Sequence, residues 1–205
     1  MMIFTQNDLT RRSFMALAGA ALIAPMLPGK AVALNTAEAR ALIDRAVTEI
    51  NGIINSGRSE RQMYGDFERI FARYADVPTI ARSALGPVAR SASASQVQAF
   101  GDAFSGYMAR KYGQRFREFI GGEIRVTDAR PLKNFFEVKA VADLRGQPPF
   151  AVSFMVSARA GSDKFVDRLI EGISLLKTER TEIGAMRARR RGNVDAVIAA
   201  LKALS

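Results

Sequence analysis

The sequence predicts an α+β protein in which N-terminal helices pack on one face of a curved antiparallel sheet and a C-terminal helix closes the fold. Three observations predict this class. Apolar residues recur at helical spacing from Ala39 to Ile120, they alternate with polar ones from Ile124 onward, and hairpin-length turns join the alternating segments. Helical patterns first and a meander of strands after put the two kinds of element in separate layers of one domain.

The chain opens on a segment that reads as an export leader. Thr10-Arg11-Arg12-Ser13-Phe14-Met15 carries the paired arginines of a twin-arginine signal. No residue from Ser13 to Gly29 is charged, and the apolar part, Phe14 to Leu27, is shorter than the roughly 20 residues of a bilayer crossing. Ala31-Val32-Ala33 is a small-residue cleavage site. The expected division is a removed signal, residues 1–33, and a single domain, residues 34–205, working in the cell envelope.

Asn35 followed by Glu38 is a capping box, and Ala39, Leu42, Ile43, Ala46, Val47, Ile50 and Ile54 share one face of the helix it opens. Gly57 stops that helix. Met63, Phe67, Ile70, Phe71 and Tyr74 mark a second helix, ended before Asp76-Val77-Pro78, and Ile80 to Leu85 form a short third. Ser93 caps a fourth, whose apolar face runs through Phe100, Phe104, Tyr107, Met108, Tyr112, Phe116 and Phe119 to Gly121-Gly122. Ile124 and Val126 begin the first strand. Phe136, Val138, Ala140 and Ala142 lie on one face of the second, and Phe150, Val152, Phe154 and Val156 on one face of the third. Phe165 to Leu176 reads as a fourth strand with Gly172 at a bulge. Val194, Val197, Ile198 and Leu201 line one side of a closing helix, Asn193 to Leu204.

Neither cysteine nor histidine occurs in the chain. Disulfides, thiolate chemistry and Cys-based metal sites are therefore excluded. The usual general base at neutral pH and the commonest metal ligand are missing as well. Glu171 and Ser174 stand near each other in sequence, but no base partner accompanies them, and Gly172 bending the strand accounts for the pattern better. The composition points away from an enzyme. The formal charge is +10, and removing the leader's three cations and one anion leaves +8. For an exported protein this charge suits anionic lipid surfaces or acidic partner faces rather than nucleic acid.

Three segments resemble a known family in order and spacing. Arg73-Tyr74-Ala75-Asp76, with Ile80-Ala81 and Leu85-Gly86, is similar to an "R-Y-x-D…I-A…L-G" element of the toluene-tolerance/MlaC family of periplasmic phospholipid-binding proteins. Ser93 and Gln96 before Phe100, Phe104 and Tyr112 resemble the family's next helix. Asp167, Glu171-Gly172-Ile173-Ser174-Leu175 and Arg180 resemble its "D-x-x-x-E-G-x-S-L…R" element. The departures are Pro87-Val88-Ala89 in place of an aromatic pair, Ile183 in place of an aromatic, and the absence of Trp.

The resemblance implies an NTF2-like sheet with added helices and a deep apolar cavity between them. It implies a monomeric carrier of phospholipid, held as cargo and not as a cofactor. It further implies shuttling between an outer-membrane lipoprotein complex and an inner-membrane ABC lipid transporter complex, or carriage of another lipid such as a hopanoid. The alternative of a different class is a basic envelope interaction protein with a filled core. Moving roughly thirty methylenes out of a bilayer at ~0.8 kcal/mol each costs on the order of 25 kcal/mol, so a carrier must offer a comparably apolar pocket. The expected lining is Leu85, Phe100, Phe104, Tyr107, Met108, Phe136, Val138, Val152, Phe154, Val156 and Ile173. The expected membrane or partner contact is the basic run Arg187, Arg189, Arg190 and Arg191, between the last strand and the closing helix.

Overall fold

A computed structural model describes residues 34–113, 118–159 and 163–204; the leader lies outside the described residues. The capping box forms. Asn35 Oδ1 accepts the Glu38 N–H at 2.9 Å and Glu38 Oε2 accepts the Asn35 N–H at 2.8 Å, satisfying two donors that a helix start leaves over. Helix α1, Thr36–Ile54, buries Ala39, Leu42, Ile43, Ala46 and Val47. Helix α2, Glu60–Tyr74, starts on a second capping box, Ser59 with Gln62, and buries Met63, Phe67, Ile70 and Tyr74. Asp76 accepts the Thr79 N–H and starts α3, Val77–Leu85. Gly86 ends it at φ 73°, ψ −148°, a conformation essentially restricted to glycine. A short 3-10 turn, Gly86–Arg90, leads to α4, Ala94–Gly113.

Strands β1 (Glu123–Leu132), β2 (Phe135–Asp143), β3 (Phe150–Ser157), β4 (Phe165–Ile170) and β5 (Ile173–Ser174) form an antiparallel meander in sequence order. Register pairs Val138 with Phe154 and Ala140 with Val152, so the expected apolar positions share one face. The other face is polar: Glu137 accepts Arg130 Nε at 2.6 Å and Ser153 Oγ at 3.2 Å. Register shifts at Val126/Asp128 and Met155/Val156 bend the sheet.

One expectation along the chain is corrected. The fourth strand does not run to Leu176. Glu171 and Gly172 sit at φ 48° and 77° and turn the chain back, β5 is two residues long, and Ser174 then caps a helix by accepting the Lys177 N–H. That helix, α5, spans Leu175–Ala188, and the closing helix α6 spans Val194–Ala203. The basic run therefore joins two helices rather than a strand and a helix. Helix α4 is described as far as Gly113. Phe116 lies outside the described residues, and Phe119 belongs to a short helical turn before β1.

The apolar residues divide into two main cores. One is purely helical: Leu85, Phe100, Phe104, Tyr107, Ile183, Val197 and Leu201 bring α3, α4, α5 and α6 together, with the Phe100 and Phe104 rings stacked at 5.6 Å. The other joins α1 and the end of α2 to the sheet through Ile43, Val47, Tyr74, Val138, Phe154 and Val156. The α4 aromatics Phe100 and Phe104, expected to line a cavity between helices and sheet, are fully buried among helices. Phe165 on β4 packs against both cores, edge-on to Phe154 at 5.6 Å and tilted to Phe71 at 6.3 Å.

Candidate functional site

The seam between the two cores is hollow. A cavity of about 140 Å³ lies there. Helix α1 contributes Ala46 and Ile50 to the wall, α2 contributes Phe67, Ile70 and Phe71, and Ile80 comes from α3. Met108 and Tyr112 of α4, Phe119 and Ile124 close one side. Phe150, Val152 and Phe154 of β3, with Phe165 and Ile170 of β4, form the floor, and Leu175 and Leu176 of α5 the remaining side. Such a surface offers dispersion contact and almost no hydrogen bonding, which selects an apolar ligand.

Tyr112, Phe119, Phe150, Arg168, Ile170 and Leu175 also border an adjoining recess, to which Leu144 and the polar side chains of Lys111, Glu118, Gln147, Glu171, Thr178 and Glu182 contribute. Between the two spaces sits an ionic cluster. Lys111 Nζ donates to Glu179 Oε1 at 2.8 Å and to Glu182 Oε2 at 2.5 Å, and lies 5.4 Å and 5.5 Å from the Tyr107 and Tyr112 ring centres. Tyr107 Oη donates to Glu182 and Tyr112 Oη to Glu179. Burial disfavours the Lys111 ammonium, but hydrogen bonds to the two carboxyls outweigh it and hold its pKa above the ordinary value. Burial also raises Tyr112 and Tyr107, Tyr112 further through its bond to Glu179. On Glu182 burial pushes upward, yet hydrogen bonds from Lys111 and Tyr107 prevail and the carboxyl is held low.

Of the residues expected to line a pocket, Met108, Val152 and Phe154 border the hollow. Leu85, Phe100, Phe104 and Tyr107 lie in the helical core, and Phe136, Val138 and Val156 in the sheet core, away from the wall. Ile173 is 67% exposed, at the turn beside the mouth. Arg187 lies in the last turn of α5, and Arg189, Arg190 and Arg191 follow that helix, with Arg187 and Arg191 on a shallow surface depression beside Pro87 and Val88. Sequence reading missed Phe67, Ile70 and Phe71 as wall residues, although it placed them on one helix face. It missed Glu179 because it missed α5. Leu175, Leu176, Glu179, Ile183 and Met186 follow helical spacing, and a carboxyl on that face is the signal that could have found it.

The motif residues are joints rather than walls. Tyr74 Oη donates to Glu49, and the Asp76 N–H bonds the Phe165 carbonyl, tying the end of α2 to β4. Asp167 accepts Ser174 Oγ and the Leu176 N–H, fixing the corner into α5. The Arg180 guanidinium lies 3.6 Å from where a Cβ on Gly86 would stand.

A solved structure of similar fold is that of the phospholipid-binding protein from Ralstonia solanacearum, in complex with a phospholipid. It is 19% identical, with a TM-score of 0.70 over 81% of this chain and 96% of that one. The family model described as MlaC protein matches residues 44–203. That match spans both cores, the hollow seam and the corner into α5, and the chain belongs to the MlaC protein family.

Proposed function

We propose that this protein is a periplasmic carrier that holds the acyl chains of a phospholipid in the seam between its two cores and shuttles it between outer and inner membranes. The observation that carries the reading is the unfilled apolar seam. At roughly 24 cal/mol per Å³, leaving 140 Å³ empty costs about 3 kcal/mol, which an apolar ligand recovers. Membership of the MlaC family and the phospholipid in the Ralstonia structure support the same cargo. In this reading the leader with Arg11-Arg12 directs export and is removed after Ala33, and a monomer, residues 34–205, works in the periplasm. Its partners are an inner-membrane ABC lipid transporter complex and an outer-membrane lipoprotein complex. The protein performs no catalysis, and the basic run Arg187, Arg189, Arg190 and Arg191 makes the docking contact.

Native mass spectrometry of the purified protein, followed by lipid extraction, tests the cargo. Adducts of phospholipid mass are expected. Hopanoid masses would change the cargo class, and a bare protein unable to take up lipid from vesicles would overturn the reading. Filling the seam gives the matching variant. Val152→Phe extends into free space and should remain folded while losing most of its lipid. Val138→Phe, in the packed sheet core, should instead lose about 1–3 kcal/mol of stability.

A further inference from the structure

Two stretches of the chain carry no acidic residue, Val77 to Gly101 and Ile183 to Val194. The fold sets them side by side. Helix α3 packs on α5, and Pro87, Val88 and Ser91 share the shallow depression with Arg187, Ala188, Arg191 and Gly192. Arg90 stands exposed between Val88 and Ser91, so a cation from the first stretch joins the four of the second. None of these five arginines forms an ion pair among the described residues. The one hydrogen bond their side chains make there is from Arg190 to the Met186 carbonyl, at 3.0 Å. Arg191 sits at φ 53°, left-handed backbone that glycine adopts more readily, and Gly192 follows at φ 81°. The turn itself therefore does not call for an arginine. Like charges gathered without acids repel one another, and an anion outside the protein is what relieves them.

We propose that this five-arginine face docks on an anionic phospholipid surface, with lipid phosphate in the depression that Arg187 and Arg191 border. This rests on the carrier reading, names what its docking contact meets, and adds Arg90 to it. The chemistry favours lipid over an acidic protein. A guanidinium takes a phosphate through two parallel N–H donors. The depression sets the apolar Pro87 and Val88 beside the cations, which suits the glycerol and phosphate layer of an interface. Guanidiniums that no ion pair holds in place can follow the headgroups of a fluid surface, whereas a protein partner rewards fixed, matched charges.

The test floats full mature protein with vesicles at about 0.1 M salt, where the screening length is about 10 Å. One set is pure phosphatidylcholine, and the other carries about one-third phosphatidylglycerol to give an anionic surface. Wild type should bind the second set and not the first. Arg90→Ser combined with Arg191→Gly, which the left-handed backbone accepts, should weaken binding about 25-fold, at about fivefold for each arginine near the surface. Arg45→Ser combined with Arg61→Ser removes the same charge from exposed positions on α1 and α2, and should weaken it less than about fivefold. Equal losses in the two double variants would make net charge the cause and overturn the face. Equal binding of wild type to both vesicle sets, or none to either, overturns it as well. Binding only to cell membranes that keep their proteins, lost after protease treatment, would make the occupant an acidic protein and end the lipid assignment. Native mass spectrometry of the same protein reads the cargo separately. A wild type that docks on the anionic vesicles but takes up no lipid overturns the carrier reading alone.

Discussion

Glu179 and Glu182 stand on one side of α5 and share the same ammonium, yet their surroundings differ. Glu179 is wholly buried, while the Glu182 side chain is 45% exposed. For Glu182 the sign of the pH effect follows directly. Its carboxyl is held below the ordinary value of 4.5 in the folded protein, against the upward push of burial, by hydrogen bonds from Lys111 and Tyr107. A group whose folded value is depressed contributes stability above its ordinary value and loses it as the pH falls through the lowered one. Glu182→Gln should therefore lower the Tm at pH 7, and the gap to wild type should close in acid. Half-exposed pairs contribute roughly 0.2–1 kcal/mol, so the gap at pH 7 is at most about 4 °C for a domain of this size. Thermal melts at pH 7 and about pH 3 decide it. A gap of equal size at both values would mean that the substitution acts through shape and not charge.

At the scale of elements the corner from β4 into α5 holds the greatest density of local information. Asp167 Oδ2 accepts Ser174 Oγ, Oδ1 accepts the Leu176 N–H at 3.0 Å, and Ser174 Oγ accepts the Lys177 N–H at 3.1 Å. Glu171 accepts the Ala151 N–H and anchors the turn to β3. The Glu and Ser that might suggest a catalytic element are thus used up in backbone hydrogen bonds. Asp167→Ala strands a half-buried N–H and a buried hydroxyl and should cost about 2–4 kcal/mol in denaturant unfolding. It should also reduce bound lipid, because Leu175 and Leu176 begin the helix that this corner aims at the seam. A variant within about 0.5 kcal/mol of wild type would show that the corner stands without its aspartate. The same corner shows why the sequence reading fails just after β4 and recovers only at α6. Asn35 with Glu38, and Asp76 before Pro78, announce their helices through side-chain caps that have no other use there. Ser174 caps α5 in the same way, but Ile170, Ile173, Leu175 and Leu176 read as a continuous apolar run. The charge of Glu179 at the centre of the buried face then breaks the helical period that would have corrected it.

For the whole molecule, the layer order and the antiparallel meander were legible because each strand's alternation depends only on its own two faces. The hollow was not. Phe67 and Phe71 line it while Phe100 and Phe104 fill a core, and nothing in their local spacing separates the two pairs. The distinction arises where two packed clusters fail to meet, a property that belongs to neither element. In the proposed carrier the seam and the basic run are separate places on the molecule. Arg189 lies eleven residues along from Thr178 at the mouth, about 16 Å at 1.5 Å per residue. Charge at that distance does not hold the lipid. In the proposed carrier it serves to bring the protein to an anionic surface, raising encounter rates in a way that salt screens. Replacing Arg189, Arg190 and Arg191 with Ser should then leave the Tm and the amount of bound lipid unchanged. Transfer of that lipid to anionic vesicles should slow at low ionic strength, and the two proteins should converge near 1 M salt, where the screening length is about 3 Å. Equal transfer at low salt would make the run no more than a solvated helix end, with cations suited to the C-terminal dipole of α5.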